Sequence, residues 1–146
     1  MEYTVDEIRQ FTAEEDVKFL RLAFCDIFGS QKNISILPDE LDRACSYGIA
    51  CDASAVPGFG DEVHSDLFLH PDSSTLCMLP WRPDHGRVAR MFCHVLRPDG
   101  AAFEADCRAL LRQAVADAEA LGIRFSFGTE MEFYLFRRDE NGEPTT

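Results

Sequence analysis

The sequence predicts an α+β fold: a mixed sheet with one helix packed on it, then a longer helix and a further strand. Three observations carry this. Short runs rich in Phe, Leu, Ile and Val recur between Val17 and Leu96, separated by Pro, Asp and Gly turns. One helical segment interrupts them, in the order strand–strand–helix–strands. After Gly100 the apolar period lengthens to that of a helix, and one strand-like run follows.

The elements read as follows. In "TVDEIRQFTAEE", Thr4 and Glu7 form a capping box, and Val5, Ile8 and Phe11 share a helical stripe, so residues 1–16 are expected as an N-terminal helix. "VKFLRLAFCDIFG", from Val17 to Gly29, is strand-like. "GSQ" turns the chain and "KNISIL" returns it as a hairpin. "PDELDRACSYG" is a short helix: Pro38 suits its first turn and Gly48 its exit. "IACD" is a short strand that runs into a long loop broken by Pro57, Gly58 and Gly60, and irregular loops of this length are often functional. "DLFLHPD", "TLCMLPW" and "RVARMFCHVL" are three more strands, with Trp81 read as packing, and "RPDG" closes this part. "EADCRALLRQAVADAEALG" is the clearest helix, with Leu110, Leu111, Ala114, Val115, Ala118 and Leu121 as its apolar stripe and Gly122 as its end. "GTEMEFYLF", residues 128–136, reads as a strand, and "RRDENGEPTT" as a polar turn. The expected divisions are 1–16, 17–101 and 102–146.

Composition narrows the function. The chain has 146 residues, enough for one ordinary domain or a small one plus part of another, and 46% hydrophobic residues support a core. Its formal charge is −12, from 26 acids against 14 bases. Only Lys18 and Lys32 are lysines and no basic run exists, which argues against nucleic acid and against acidic membrane surfaces. The start lacks a basic segment followed by an apolar run, and no stretch approaches the ~18 apolar residues of a membrane span. The six cysteines show no C-x-x-C spacing and several sit in strand-like runs. They are read as buried, reduced thiols of a cytoplasmic protein.

Four acids are candidates for chemistry. Glu130 and Glu132 stand two apart in an apolar strand, so both point to one face, roughly 7 Å apart at their Cα atoms. They are either ligands for hard cations such as Mg²⁺ or Mn²⁺, or the wet face of a half-exposed strand. Asp52, at the head of the long loop, either binds a small cation or orients a nucleophile, or it satisfies nearby backbone groups. Asp66, after Ser65, leaves the same choice. His64, His70, His85 and His94 lack metal-ligand spacing, and neither a Walker loop nor a G-x-S-x-G elbow occurs.

Taken in order, "VKFLRLAFCDIFGSQKNISI", "GIACDASAVPGF", "HSD", "LHPDSSTLCMLPWRPDHGRVARMFCHV", "RPDGAAFEADCR" and "GTEMEFYLF" resemble type I glutamine synthetase from about Val17 onward. The resemblance implies a β-grasp domain followed by the start of a catalytic α/β domain. It implies a ligase that joins ammonia to glutamate using ATP, by way of γ-glutamyl phosphate, with two Mg²⁺ or Mn²⁺ ions per complete site. Glu130 and Glu132 then match the first metal ligands, one per ion, with Met131 where the family usually has proline. Asp52 in "CDASA" matches the aspartate of the family's "FDGSS", which helps bind and deprotonate ammonium. Ala53 and Ala55 replace a glycine and a serine of that motif. Asp66 matches a neighbouring aspartate. Family sites form between identical subunits of a double ring, one lending a loop to the next. Further motifs for nucleotide and glutamate do not follow, so the chain is expected to be an N-terminal fragment that does not make glutamine alone. Two alternatives stand: a non-catalytic β-grasp binding module, and a fragment of a ligase joining glutamate to a different amine.

Overall fold

A computed structural model describes residues 2–60, 65–81 and 86–145. His64 and His85 lie outside the described residues. Helix α1, Val5–Glu14, starts where the sequence says: the Thr4 side chain accepts from the Glu7 amide, and Glu7 accepts from the Thr4 amide. Strand β1, Val17–Cys25, then pairs antiparallel with β2, Gln31–Ile36. The turn begins earlier than the run of hydrophobics suggests. Asp26 is buried, and its Oδ1 accepts the Phe28 and Ser30 amides, closing the hairpin at 26–30. Burial pushes its pKa up, but those amides and Lys32 outweigh it and hold the carboxyl below its usual range.

A single 3-10 turn at Pro38–Glu40 leads into α2, Leu41–Tyr47. Gly48 ends it with φ +77, and β3, Ile49–Asp52, follows. The remaining strands of the main sheet are β4, Asp66–Pro71, β5, Cys77–Met78, and β6, Arg87–Leu96. The expected "TLCMLPW" strand shrinks to the two residues of β5, and Trp81, expected to pack, is 62% exposed. The order is β2-β1-β6-β4-β3, with β5 also on β6. Strands β1 and β6 run parallel at the centre and the other pairings are antiparallel.

Alternation fixes which side is core. Leu20, Leu22 and Phe24 of β1 and Met91, Cys93 and Val95 of β6 turn inward against α1 and α2, where Ile8, Leu41 and Ala44 meet them. Full burial of each large aliphatic side chain contributes about 1.5–3 kcal/mol. This is the mixed sheet with a packed helix that the sequence predicts.

Helix α3, Cys107–Ala120, crosses the outer face. Buried Asp106 joins it to the sheet: Oδ1 caps the Arg108 amide and Oδ2 accepts the Val95 amide of β6. Arg108 pairs with Asp72, and Arg112 Nη1 lies 3.2 Å from His94 Nδ1. The expected apolar stripe is only partly used. Ala118 is buried, whereas Leu110, Leu111, Val115 and Leu121 are exposed, because no described layer covers that side of the helix.

His94 and His70 face each other across β6 and β4. Burial lowers both pKa values, and Arg112 and Arg108 lower that of His94 further. The unfolded chain titrates both near 6.5 and so binds more protons in the window just below. Their contribution to stability is therefore complete above about pH 6.5 and declines as pH falls through that value towards the folded pKa values. Urea unfolding midpoints are expected to drop from pH 7 to pH 5, and to drop less in His94→Gln.

The clearest departure is the run 123–136. It forms no strand, and among the described residues it joins no ladder; its start is tied to α3, where the Ile123 amide donates to the Ala118 carbonyl. The two-residue repeat is visible in its rings: Phe125 stacks with Phe127 at 6.0 Å, and Tyr134 meets Phe136 at 6.3 Å. A β-strand needs a ladder partner as well as alternation, and here only the alternation is present. Strand β7, Arg137–Arg138, and β8, Pro144–Thr145, close a small hairpin after it. No helix among the described residues is long and apolar enough to cross a membrane. The six cysteines are unpaired, but only Cys93 is buried and Cys77 is exposed, which corrects the expectation that all are buried.

Candidate functional site

The antiparallel register of β3 and β4 brings two sequence candidates together. Asp52 sits directly opposite Asp66 at the end of the ladder. The Ala53 amide donates to the Ser65 carbonyl at 2.7 Å, so the two aspartates form a non-hydrogen-bonded pair, the kind with Cα atoms about 4.5 Å apart and side chains close together. Both are exposed. Like charges placed this way repel, so the pair is held against its own electrostatics at a sheet edge.

Asp52 is also shaped by the loop it opens. Its Oδ1 accepts from Ser54 Oγ at 2.7 Å and from the Ser54 amide at 2.9 Å. These bonds lower its pKa, with a smaller contribution from Ser65, so it is an anion at neutral pH. One carboxylate oxygen is thus occupied by a local Asx turn, which keeps part of the alternative reading of Asp52 as a backbone-satisfying residue.

The loop is tied down behind this pair by residues to which the sequence reading gave no anchoring role. Ala53 is fully buried. Val56 and Phe59 amides continue a series of turns to the Ala53 and Val56 carbonyls. Phe59 is buried between two other rings, 5.7 Å from Phe24 and 5.0 Å from Phe103 in an edge-on contact. Gly58 has φ +79, and a Cβ there would lie 2.1 Å from Ile27 Cδ1 on the β1–β2 turn. Gly58→Ala is expected to destabilise the protein by about 1–2 kcal/mol from the left-handed backbone alone, plus a steric part. Adding Ile27→Ala should remove the steric part and leave the backbone part. Full recovery in the double variant by chemical denaturation would contradict this account.

Glu130 and Glu132 lie on the run 123–136, away from any ladder, and both are exposed. Among the described residues neither is in an ion pair with an arginine. The expectation that residues 128–136 form a strand carrying them is therefore not met; they are exposed carboxylates two residues apart. Their hard oxygen donors suit Mg²⁺ or Mn²⁺. Two are too few for a closed site, and among the described residues no group of three or more His, Cys, Asp or Glu could hold a metal. Between α3 and this run, Leu111, Val115, Ala118, Ile123, Phe125 and Phe127 line an apolar groove of about 320 Å³.

Comparison with known proteins is consistent in every direction. A family model described as the glutamine synthetase β-grasp domain matches residues 16–98, and one described as the glutamine synthetase catalytic domain matches residues 104–146. A glutamine synthetase of Clostridium saccharobutylicum is 44% identical over 144 residues, covering 99% of this chain and 32% of the relative. One from Staphylococcus aureus (strain MW2) is 42% identical over 144 residues, 98% of this chain and 32% of the relative. The chain thus spans about a third of the length of these curated relatives. Among solved structures, the Plasmodium falciparum glutamine synthetase aligns over 84% of this chain and 24% of its own, with a TM-score of 0.71 at 18% identity. The GmaS/ADP complex aligns over 77% of this chain and 25% of its own, with a TM-score of 0.70 at 21% identity. At those identities the likeness is one of fold.

Proposed function

The chain belongs to the glutamine synthetase family, and from that premise we propose that it serves an ATP-dependent ligase joining ammonia to glutamate through γ-glutamyl phosphate. In this reading residues 17–101 are the β-grasp domain and 102–146 begin the catalytic domain. The single observation that carries it is the Asp52–Asp66 pair. Two anions held opposite each other at a sheet edge form a seat for a small cation, and ammonium offers four N–H donors to their oxygens. Asp52, kept ionised by Ser54, favours ammonium there and orients the ammonia formed from it. Glu130 and Glu132 are exposed and, among the described residues, without an ion-pair partner, which supports assigning each to one of two Mg²⁺ or Mn²⁺ ions. When bound, such ions neutralise charge on the phosphoryl group in transfer. Neighbouring identical subunits in a ring complete the site, and the buried anchor Phe59 holds the loop in the shape it presents to them. The six unpaired thiols support a cytoplasmic location.

The test is a chimera in which residues 1–146 replace the matching segment of the Clostridium saccharobutylicum relative. It should form glutamine from glutamate, ammonium and ATP. Asp52→Asn in it is expected to lower kcat/KM for ammonium roughly ten- to a hundredfold, by loss of a charge-assisted bond. An unchanged ammonium dependence would remove Asp52 from the site. A second reading, a ligase for a different amine, draws on Ala55, which is exposed beside Asp52 where the family has a serine. Faster turnover of a primary amine than of ammonium by the same chimera would favour it.

A further inference from the structure

The outer face of the central strands carries a cluster that the ligase reading does not use. Arg21 of β1 is in parallel register with Arg90 of β6, so the two side chains leave neighbouring strands, about 4.8 Å apart, on one face. Both are half-buried. Among the described residues neither has a carboxylate partner, although the chain carries a net charge of −12 and acids are abundant. Adjacent like charges in a sheet are destabilising. The Arg90 guanidinium is held over the Phe92 ring, 4.3 Å from its centre, and Arg108 approaches the same ring at 5.6 Å. The Nε atoms of Arg90 and Arg108 are sealed from solvent and have no acceptor. Buried donors without a partner are rare, and a missing ion is one of their few explanations. Arg112 adds a fourth cation beside His94; of the acids nearby among the described residues, Asp72 is already paired with Arg108 and Asp106 is engaged by the Arg108 and Val95 amides.

We propose that Arg21 and Arg90 form a binding site for a small polyvalent oxyanion of the phosphate class, with Arg108 at its margin. A dianion can meet two guanidinium forks at once, whereas a single carboxylate leaves one unpaired. The stacking of Arg90 on Phe92 holds its fork in place before the ligand arrives, which lowers the ordering cost of binding. The site is separate from the Asp52–Asp66 edge: β4 pairs with β6 only opposite Cys93–Leu96, with Asp66 beyond the Leu96 end of that ladder and Arg90 beyond the Cys93 end.

The experiment titrates inorganic phosphate into the 146-residue chain at constant ionic strength and follows the arginine Nε–H resonances. Phosphate is expected to move those of Arg21 and Arg90, and acetate to move them far less. Arg90→Gln or Arg21→Gln should weaken binding roughly tenfold or more, and Arg21→Lys, which keeps the charge but loses the fork, should weaken it less. The wild-type titration stands without the variants, should either fail to fold. No shift up to tens of millimolar phosphate, or wild-type affinity in both Gln variants, overturns the proposal. Vesicles containing phosphatidic acid form the second arm. Co-sedimentation lost in Arg90→Gln assigns the phosphate to a lipid headgroup, and phosphate binding without co-sedimentation assigns it to a soluble ligand.

Discussion

Phe59→Ala is expected to lower the stability of the 146-residue chain by about 3–5 kcal/mol, the usual cost of emptying a buried aromatic site. For a chain of this size that is a fall in Tm of roughly 10 °C or more. The ring is 2% exposed and wedged between Phe24 and Phe103, so neither neighbour can close the hole without leaving its own place. The effect has a local part that tells this role apart from general core loss. Phe59 is the far anchor of the turns that begin at Asp52, so its removal should release the Ala53 and Ser54 amides to hydrogen exchange. Ile8→Ala, at an equally buried core position under α1, should lower Tm while leaving those two amides as protected as the remaining global stability allows. Equal local protection in the two variants would mean that the loop is held by something other than the ring.

How much of this was legible in the sequence depends on whether the signal is local. The Thr4–Glu7 box, Pro38, and Gly48 at the exit of α2 were all readable, because a cap or turn involves residues within a few positions of each other. The β1–β2 hairpin was readable for the same reason. Asp52 and Asp66 were each visible as candidates, but their meeting depends on strand register, which spacing along the chain does not report. Phe59 looked like one more loop residue, since nothing in "VPGFG" says that Phe24 and Phe103 will be there to receive it. Asp106 could have been found: an aspartate just before a long helix is a cap signal, and its second oxygen then serves Val95. The run 123–136 failed the other way. Its alternation is real, yet strand formation requires a neighbour to share hydrogen bonds, and composition says nothing about whether one is within reach. Likewise the stripe on α3 has the right period and mostly faces outward.

That exposed run carries the second large expected effect. In the chimera, Glu130→Gln and Glu132→Gln should each reduce glutamine formation by at least about a hundredfold, because divalent-ion charge stabilisation in phosphoryl transfer amounts to several kcal/mol. Glutamine keeps the size of the side chain and removes the anion, so a large loss would point to charge rather than packing, which is already slight for two exposed side chains. The assignment of one ion to each carboxylate makes a sharper demand. Each single variant should bind one Mn²⁺ fewer than the parent, counted by electron paramagnetic resonance of free Mn²⁺, and the double variant two fewer. If either substitution alone released both ions, the carboxylates would be sharing one binuclear centre; if neither released any, they would be no ligands at all. In the 146-residue chain itself the same titration should show only weak binding, since two carboxylates leave most of the roughly six positions around Mg²⁺ or Mn²⁺ to water. Submicromolar Mn²⁺ affinity there, abolished by Glu132→Ala, would require ligands from this chain that the geometry does not bring near Glu132.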